Sequence, residues 1–367
     1  MKVLLCGGGT GGHVTPALSV AQKLLEEGNE NEILFIGRKD GKENLAVKKA
    51  QIELSELEIY GIKRSLSPSN IKRLFCAIRA VKKAKRIIKA FSPDIILGTG
   101  GYVCWPTLTA GRKLGIPTAI HESNVYPGLV TRLLSRKCDA ILLNKGETAK
   151  YLKGAKRVEI VGNPISSGIY RISRTQARAS LGLRSNDVFI LSFGGSGGAD
   201  KLNSAIYELM NEVSAEQSNV FHLHATGRAY FNKWSTEHVT PGNCRIVPYI
   251  EDMPRYLKAA DIVISRCGAM TLSELSAAGC CSVLIPSPNV TGDHQRKNAK
   301  SLSDSGSAIL IKESELDSGR LISEVKSLVG NKDMRARLSC KISMHQTPDA
   351  QDKIIMVLKE LHKSKSK

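Results

Sequence analysis

The sequence predicts an α/β protein with two doubly wound, parallel-sheet domains. Three observations lead there. Short apolar runs alternate with helical patterns along the chain, which is the signature of strand–helix–strand units. The alternation breaks once, at "GNPISSG" (Gly162–Gly168), and then restarts. Each half also opens with a strand that runs into a glycine-rich turn, "GGGTGG" at Gly7–Gly12 and "GGSGGA" at Gly194–Ala199. Such a turn leads into a helix whose free N–H groups and dipole can hold an anion. Two of them imply two nucleotide-fold domains facing a shared cleft, and 367 residues suffice for both.

In the first half, Val3–Cys6, Ile33–Ile36, Ile95–Leu97, Thr118–His121, Ala140–Leu143 and Val158–Val161 read as strands, each followed by Gly, Pro or polar turn residues. In the second half the strands are Val188–Phe193, Val220–Ala225, Arg245–Val247, Ile262–Ser265 and Val283–Ile285. The expected division is 1–162, 163–348 and a terminal helix at 349–367 that returns to the first domain. One helix stands apart. From Lys63 to Lys89 there are ten Lys or Arg and no Asp or Glu, and Ile71, Leu74, Phe75, Ile78, Val81, Ile88 and Phe91 fall near helical spacing. This predicts a basic amphipathic helix that begins after "SPSN" and stops before Pro93. Its apolar stripe can pack on its own domain, its basic face can press on anionic lipid, and both can hold at once.

Composition narrows the partners. With 42% hydrophobic and 24% charged residues the chain is globular. A net charge of +19 calls for an anionic partner: nucleic acid, a phosphorylated substrate or acidic lipid. RNA-type aromatic motifs are missing, which disfavours nucleic acid. No apolar run approaches the roughly 20 residues of a membrane span, and the N-terminus lacks a signal peptide, so a cytoplasmic protein is expected. Nine cysteines without CxxC spacing suggest reduced thiols rather than zinc or a disulfide framework.

The motifs carry the chemistry. Gly7, Gly9 and Gly12 satisfy G-x-G-x-x-G after a strand, but an NAD site also wants an acid at the end of the second strand. Gly37 and Arg38 stand there instead; Arg38 leaves an NADP oxidoreductase open, with no hydride-transfer site elsewhere. His13 follows the glycines at a helix start, where a neutral imidazole can take a proton from a hydroxyl. "GTGGYVCWP" (Gly98–Pro106) and "HESN" (His121–Asn124) lie at further strand ends, where open α/β sheets hold ligands. In the second half "SRCGAMTLSEL" (Ser265–Leu275) sets Glu274 about one turn inside a helix, able to accept both hydroxyls of a ribose. "PSPNVTGDHQRKNA" (Pro286–Ala299) gathers Asp293, His294, Gln295 and Asn298, too few metal ligands for a dedicated ion site.

In order, "GGGTGGHVTPAL", "GTGGYV", "HESN", "GNP", "GGSGGA", "GAMTLSE" and "DHQRKNA" resemble the MurG family, the UDP-N-acetylglucosamine:undecaprenyl-pyrophosphoryl-muramoyl-pentapeptide N-acetylglucosaminyltransferases of bacterial peptidoglycan synthesis. The resemblance spans nearly the whole chain and implies the GT-B fold, two Rossmann-like domains with a deep cleft between them. It implies that UDP-GlcNAc meets Ser196 at the diphosphate, Ile250 at the uracil and Glu274 at the ribose. Arg266, Ala269, Met270 and Thr271 would line the nucleotide site and Gln295 would contact the sugar. Thr10, Gly11, Gly12 and Asn124 would complete the donor site from the first domain. Gly100, Gly101 and Tyr102 would receive the lipid-linked acceptor, lipid I. The implied reaction is an inverting transfer to the muramoyl 4-hydroxyl that gives lipid II. His13 or Glu122 would act as base, and helix N-termini rather than an obligatory metal would stabilise the departing diphosphate. The enzyme would sit peripherally on the cytoplasmic face of the membrane. The chain departs from the common family pattern at Ser166, where many members carry Arg, at Gly197, where Gln or Arg is frequent, at Ser123, where Gln is frequent, and at Trp105, where a small residue is frequent. A UDP-GlcNAc 2-epimerase shares the architecture and donor, but its acidic catalytic set is not apparent. A lipid-binding module explains the basic face but none of the glycine loops.

Overall fold

The computed structural model describes every residue except 29, 42–43, 62–68, 196 and 366–367, and the side chains of 69–71 and 291 are left aside. The chain divides into two compact units, Met1–Ile165 with Asp349–Lys367, and Ser166–Pro348.

The first unit holds strands β1 (Lys2–Cys6), β2 (Glu32–Arg38), β3 (Glu53–Leu57), β4 (Ile95–Gly98), β5 (Thr118–Glu122), β6 (Ala140–Leu143) and β7 (Val158–Ile160). They form one parallel sheet in the order β3-β2-β1-β4-β5-β6-β7. Helices α1 (Gly11–Glu27), α2 (Asn44–Lys49), α3 (Ser69–Phe91), α4 (Cys104–Lys113) and α5 (Leu129–Leu134) connect them. The central strands are apolar on both faces because helices cover both. Val3 and Leu5 pack towards α1, and Leu4 and Cys6 pack with residues of α3 and α4. β3 is an addition to the expected strands. Its sequence, ELSEL, lacks a buried strand's apolar run because it is an edge strand, and only Leu57 is fully buried.

The basic helix α3 has two apolar surfaces. Ala80, Ala84 and Ile88 are buried against the sheet. Leu74, Phe75 and Ile78, nearer its start, are turned outward, with Phe75 64% exposed. The packing foreseen for its apolar stripe is therefore present along the later turns, and the earlier turns leave large apolar side chains exposed. This unit carries 32 basic against 17 acidic residues, whereas the second carries 21 against 17, so the positive charge is concentrated with α3.

The second unit contains helices α6 (Gly168–Arg171) and α7 (Arg174–Ser180), then strands β8 (Val188–Phe193), β9 (Val220–Ala225), β10 (Cys244–Val247), β11 (Ile262–Ser265), β12 (Ser282–Leu284) and β13 (Ile309–Leu310). The order is β10-β9-β8-β11-β12-β13, again parallel. Helices α8 (Asp200–Leu209), α9 (Phe231–Glu237), α10 (Met253–Ala259), α11 (Ala269–Ala278), α12 (His294–Asp304), α13 (Arg320–Gly330) and α14 (Lys332–Ser343) complete it. The two-residue edge strand β13 is too short to show in a pattern of apolar runs. The last helix, α15 (Ala350–Lys365), belongs to the first unit, where it packs along α1. Gln351 donates to the Ser19 carbonyl at 2.8 Å, and Lys23–Asp352 and Lys359–Glu27 ion pairs flank that contact. All nine cysteines are free thiols and seven are buried. Among the described residues, no helix is long and apolar enough to cross a membrane.

Candidate functional site

In the first unit the carboxyl ends of β1 and β4, neighbours in the sheet, bring two glycine turns together. Gly9 is left-handed (φ +89), Thr10 is extended, and α1 begins at Gly11. No side chain caps that helix and its first turn holds no acid. Gly11 and Gly12 are exposed, and no acceptor among the described residues meets their N–H groups. A helix start in this condition has its donors and its dipole available to an anion.

His13 is held above the turn. Its Nδ1 lies 3.1 Å from the Gly8 carbonyl and 3.3 Å from Thr10 Oγ1. A carbonyl oxygen can only accept, so the network assigns the proton to Nδ1 and leaves a lone pair on Nε2. Thr99 Oγ1 donates to the His13 carbonyl at 2.5 Å, and Thr99 N donates to Cys6 at 2.9 Å, tying the two loops. Gly100 (φ +111) and Gly101 (φ +83) run against the imidazole. A Cβ on Gly100 would lie 2.6 Å from Cδ2 and 3.0 Å from Nε2 of His13. Tyr102 closes the other side, with Cε1 3.0 Å from where a Gly9 Cβ would be. The structure thus brings together Thr10, Gly11, Gly12, His13, Gly100, Gly101 and Tyr102.

Glu122 is the second candidate base, and its surroundings differ from those of His13. It is buried at the end of β5, and its carboxylate is taken up by its own loop. Oε1 accepts from the backbone N and Nδ2 of Asn124, both at 3.0 Å. Oε2 accepts from Gly128 N at 2.9 Å and Thr131 Oγ1 at 2.6 Å. Four donors occupy the lone-pair sites of the carboxylate, so Glu122 pins the loop. Asn124 is fixed by it. His121, beside it, has Nε2 2.9 Å from the Gly162 carbonyl, and burial lowers its pKa, keeping the ring neutral.

In the second unit β8 runs into its glycine turn, with Gly195 and Gly198 left-handed. Ser196, the expected diphosphate contact, lies outside the described residues. Gly198 abuts Tyr230, whose Cδ2 would be 2.7 Å from an added Cβ. Helix α11 starts from an extended Gly268 with no acid in its first turn, and stops at a left-handed Gly279. Ala269 and Thr271 are part-exposed at its start and Met270 is buried. Glu274 is partly buried on its second turn and has no hydrogen-bond or ion-pair partner among the described residues. Burial without a donor pushes its pKa up to about 7. Ile250 is enclosed, leaving little beyond its backbone for a ligand.

Arg266, just before α11, already has protein partners. Its guanidinium is buried, pairs with Glu313 and donates to the Ile285 carbonyl at 3.3 Å. It braces the loop after β12. No local signal could have revealed that partner, which is 47 residues away. Gln295 uses Oε1 to accept from Cys267 N at 3.1 Å and Ser287 N at 2.8 Å, which leaves its amide N–H groups for a ligand. Ser166 Oγ accepts from Gly168 N at 3.3 Å, a local turn. Among the described residues no group of three or more His, Cys, Asp or Glu could hold a metal ion.

The chain matches two family models, the glycosyltransferase family 28 N-terminal domain over residues 3–143 and the glycosyltransferase family 28 C-terminal domain over residues 189–354. It is 38% identical to a UDP-N-acetylglucosamine–N-acetylmuramyl-(pentapeptide) pyrophosphoryl-undecaprenol N-acetylglucosamine transferase of Bacillus licheniformis, over 98% of this chain and 99% of that protein. A transferase of the same name from Ruminiclostridium cellulolyticum is 36% identical, over 98% of this chain and 100% of that one. Among solved structures, Acinetobacter baumannii MurG superposes with a TM-score of 0.76 at 27% identity, covering 98% of this chain and 99% of that one. The Neisseria meningitidis UDP-GlcNAc 2-epimerase bound to UDP-GlcNAc gives a TM-score of 0.66 at 15% identity, over 98% and 100% of the two chains, a likeness of fold alone. The two parallel-sheet units are those of the GT-B fold.

Proposed function

The chain belongs to glycosyltransferase family 28, and from that premise we propose that it transfers N-acetylglucosamine from UDP-GlcNAc to the muramoyl 4-hydroxyl of lipid I, giving lipid II for peptidoglycan. The observation that carries the reading is His13. Its Nε2 lone pair, with the tautomer set by the Gly8 carbonyl, stands beside an open helix N-terminus and two glycine turns. That combination suits a hydroxyl nucleophile that must lose a proton next to a pyrophosphate.

The acceptor hydroxyl attacks the anomeric carbon of the donor, and its proton passes to His13 Nε2. The bond from that carbon to the UDP oxygen breaks, and UDP leaves with the electron pair. The transition state has oxocarbenium character, so the enzyme must stabilise charge on the leaving diphosphate. The glycine turn before α8 is suited to that task, and so is the start of α11, whose first turn holds no acid. Glu274, short of donors, accepts from the ribose hydroxyls. The acceptor pyrophosphate lies against Gly11, Gly12, Gly100 and Gly101.

The outward face of α3 is the membrane contact. Leu74, Phe75 and Ile78 enter the acyl boundary while the exposed Lys72, Arg79 and Lys82 meet anionic headgroups. The enzyme is thereby peripheral on the cytoplasmic leaflet, where a lipid-linked acceptor presents its sugar.

The test is labelled UDP-GlcNAc with a lipid I analogue, read as transfer with release of UDP. His13→Ala should cut kcat by about a hundred-fold or more with donor affinity retained. Near-normal turnover in that variant, or a loss confined to donor binding, would remove His13 as the base.

A further inference from the structure

The carboxyl edge of β5 and β6 carries side chains that the transfer chemistry leaves unused. Loop 123–128 leaves β5 and turn 144–151 leaves β6, and the two are laced together. Asn144 N donates to the Glu122 carbonyl at 3.1 Å, Asn144 Nδ2 to the Ser123 carbonyl at 2.9 Å, and Thr148 Oγ1 to the Asn124 carbonyl at 3.3 Å. On this base Tyr126 and Tyr151 meet edge to face, with ring centroids 4.9 Å apart. Arg132 lies over Tyr126 at 5.2 Å and Lys150 over Tyr151 at 5.1 Å, so cations flank the aromatic pair. Lys145 lies in the turn, where its carbonyl accepts from Thr148 N at 3.1 Å. Its side chain is partly buried and its ammonium has no ion pair or hydrogen bond among the described residues. Loss of water lowers its pKa, and the exposed Glu147 offsets this only in part. An unpaired cation drawn out of water is unfavourable until an anion arrives.

Reach connects this group to the reacting hydroxyl. β1, β4, β5 and β6 are successive neighbours in the sheet. At about 4.8 Å per strand, the turn after β6 lies roughly 14 Å along the edge from the loop that bears His13. An extended peptide advances about 3.3 Å per residue, so four or five residues span that distance. A muramyl-pentapeptide acceptor carries its peptide on the very sugar that bears the nucleophile. Resting on the transferase reading, we propose that Tyr126, Arg132, Lys145, Lys150 and Tyr151 form a subsite for the anionic peptide arm of the acceptor, with Lys145 pairing to a peptide carboxylate.

The full chain is assayed with UDP-GlcNAc and two lipid-linked muramyl acceptors, one with the pentapeptide and one without any peptide. The wild type should show kcat/KM about ten-fold or more higher for the peptide acceptor, the scale of one charge-assisted contact. Lys145→Gln should abolish that preference while leaving peptide-free turnover and the KM for UDP-GlcNAc unchanged, and Lys145→Arg should keep it. Equal use of both acceptors by the wild type overturns the proposal. So does a Lys145→Gln loss that is equal for both acceptors, which would put the lysine on the diphosphate or in the fold. Transfer to neither acceptor by the wild type overturns the transferase reading and the proposal with it.

Discussion

Glu274→Gln separates the cost of an empty donor site from its use. The carboxyl of Glu274 has its pKa raised from 4.5 to about 7 because burial strips water from the anion and no protein donor replaces it. Between pH 4.5 and 7 the folded chain therefore binds more protons at this residue than the unfolded chain does. Stability falls as pH rises through that window and stays reduced above it. A shift of this size corresponds to at most about 3 kcal/mol. Glutamine does not ionise. The unliganded variant should thus be more stable than the wild type at pH 8, and the gap should close near pH 4.5. Urea unfolding at the two pH values measures it. Nucleotide binding should move the opposite way. In the proposed donor site, ribose hydroxyls would donate to the ionised carboxylate, whose population in the free enzyme rises from roughly one tenth at pH 6 to nine tenths at pH 8. The wild-type Kd for UDP should fall about ten-fold over that range relative to Glu274→Gln, which shares the phosphate's own titration. Calorimetric binding at both pH values reads this directly. A variant that binds UDP as tightly as the wild type at pH 8 would refute the ribose contact. A variant with no stability gain there would refute the desolvated carboxylate.

Glu122→Gln should destabilise the fold by about 2 kcal/mol, because an amide nitrogen then faces donors that a carboxylate satisfied. Denaturant unfolding measures this, and a pH–rate profile unchanged in shape accompanies it; a hundred-fold fall in kcat at intact stability would restore Glu122 as the base. Gly100→Ala should lower kcat at least ten-fold with donor affinity kept, since its Cβ would crowd the His13 ring at a left-handed position that already costs about 1–3 kcal/mol. Steady-state kinetics with a donor titration check it. Serine at Leu74, Phe75 and Ile78 together removes about 3 kcal/mol of apolar transfer from a half-exposed patch. Sedimentation with anionic vesicles should show about a hundred-fold weaker partitioning, while turnover of a water-soluble acceptor stays as in the wild type.

The legible parts of this molecule are those whose physics is local. β1, β4 and β8 are buried on both faces and read as unbroken apolar runs. β3 was hidden because an edge strand can carry Glu53 and Glu56 outward, and Glu56 then serves as acceptor for Asn44 at 2.7 Å. The glycine turns were legible too, but their uses were not. Both follow a central strand and precede a helix, yet in the first unit an imidazole fills the turn, its proton fixed by the Gly8 carbonyl five residues back. That bond lies within one turn of chain, so His13 could be singled out from its position alone. The roles of Glu122 and Arg266 depend on what the rest of the fold brings to them. "HESN" offers a carboxylate, and only the loop returning through Gly128 and Thr131 brings its structural bonds to four. Arg266 likewise offers a cation, and Glu313 takes it. Glu274 is the converse case. The fold partly buries it and supplies no donor among the described residues, so of the two glutamates singled out from the sequence it alone has open lone pairs. The useful distinction between a structural and a binding carboxylate is therefore the count of donors that the fold delivers: four at Glu122, none at Glu274 among the described residues.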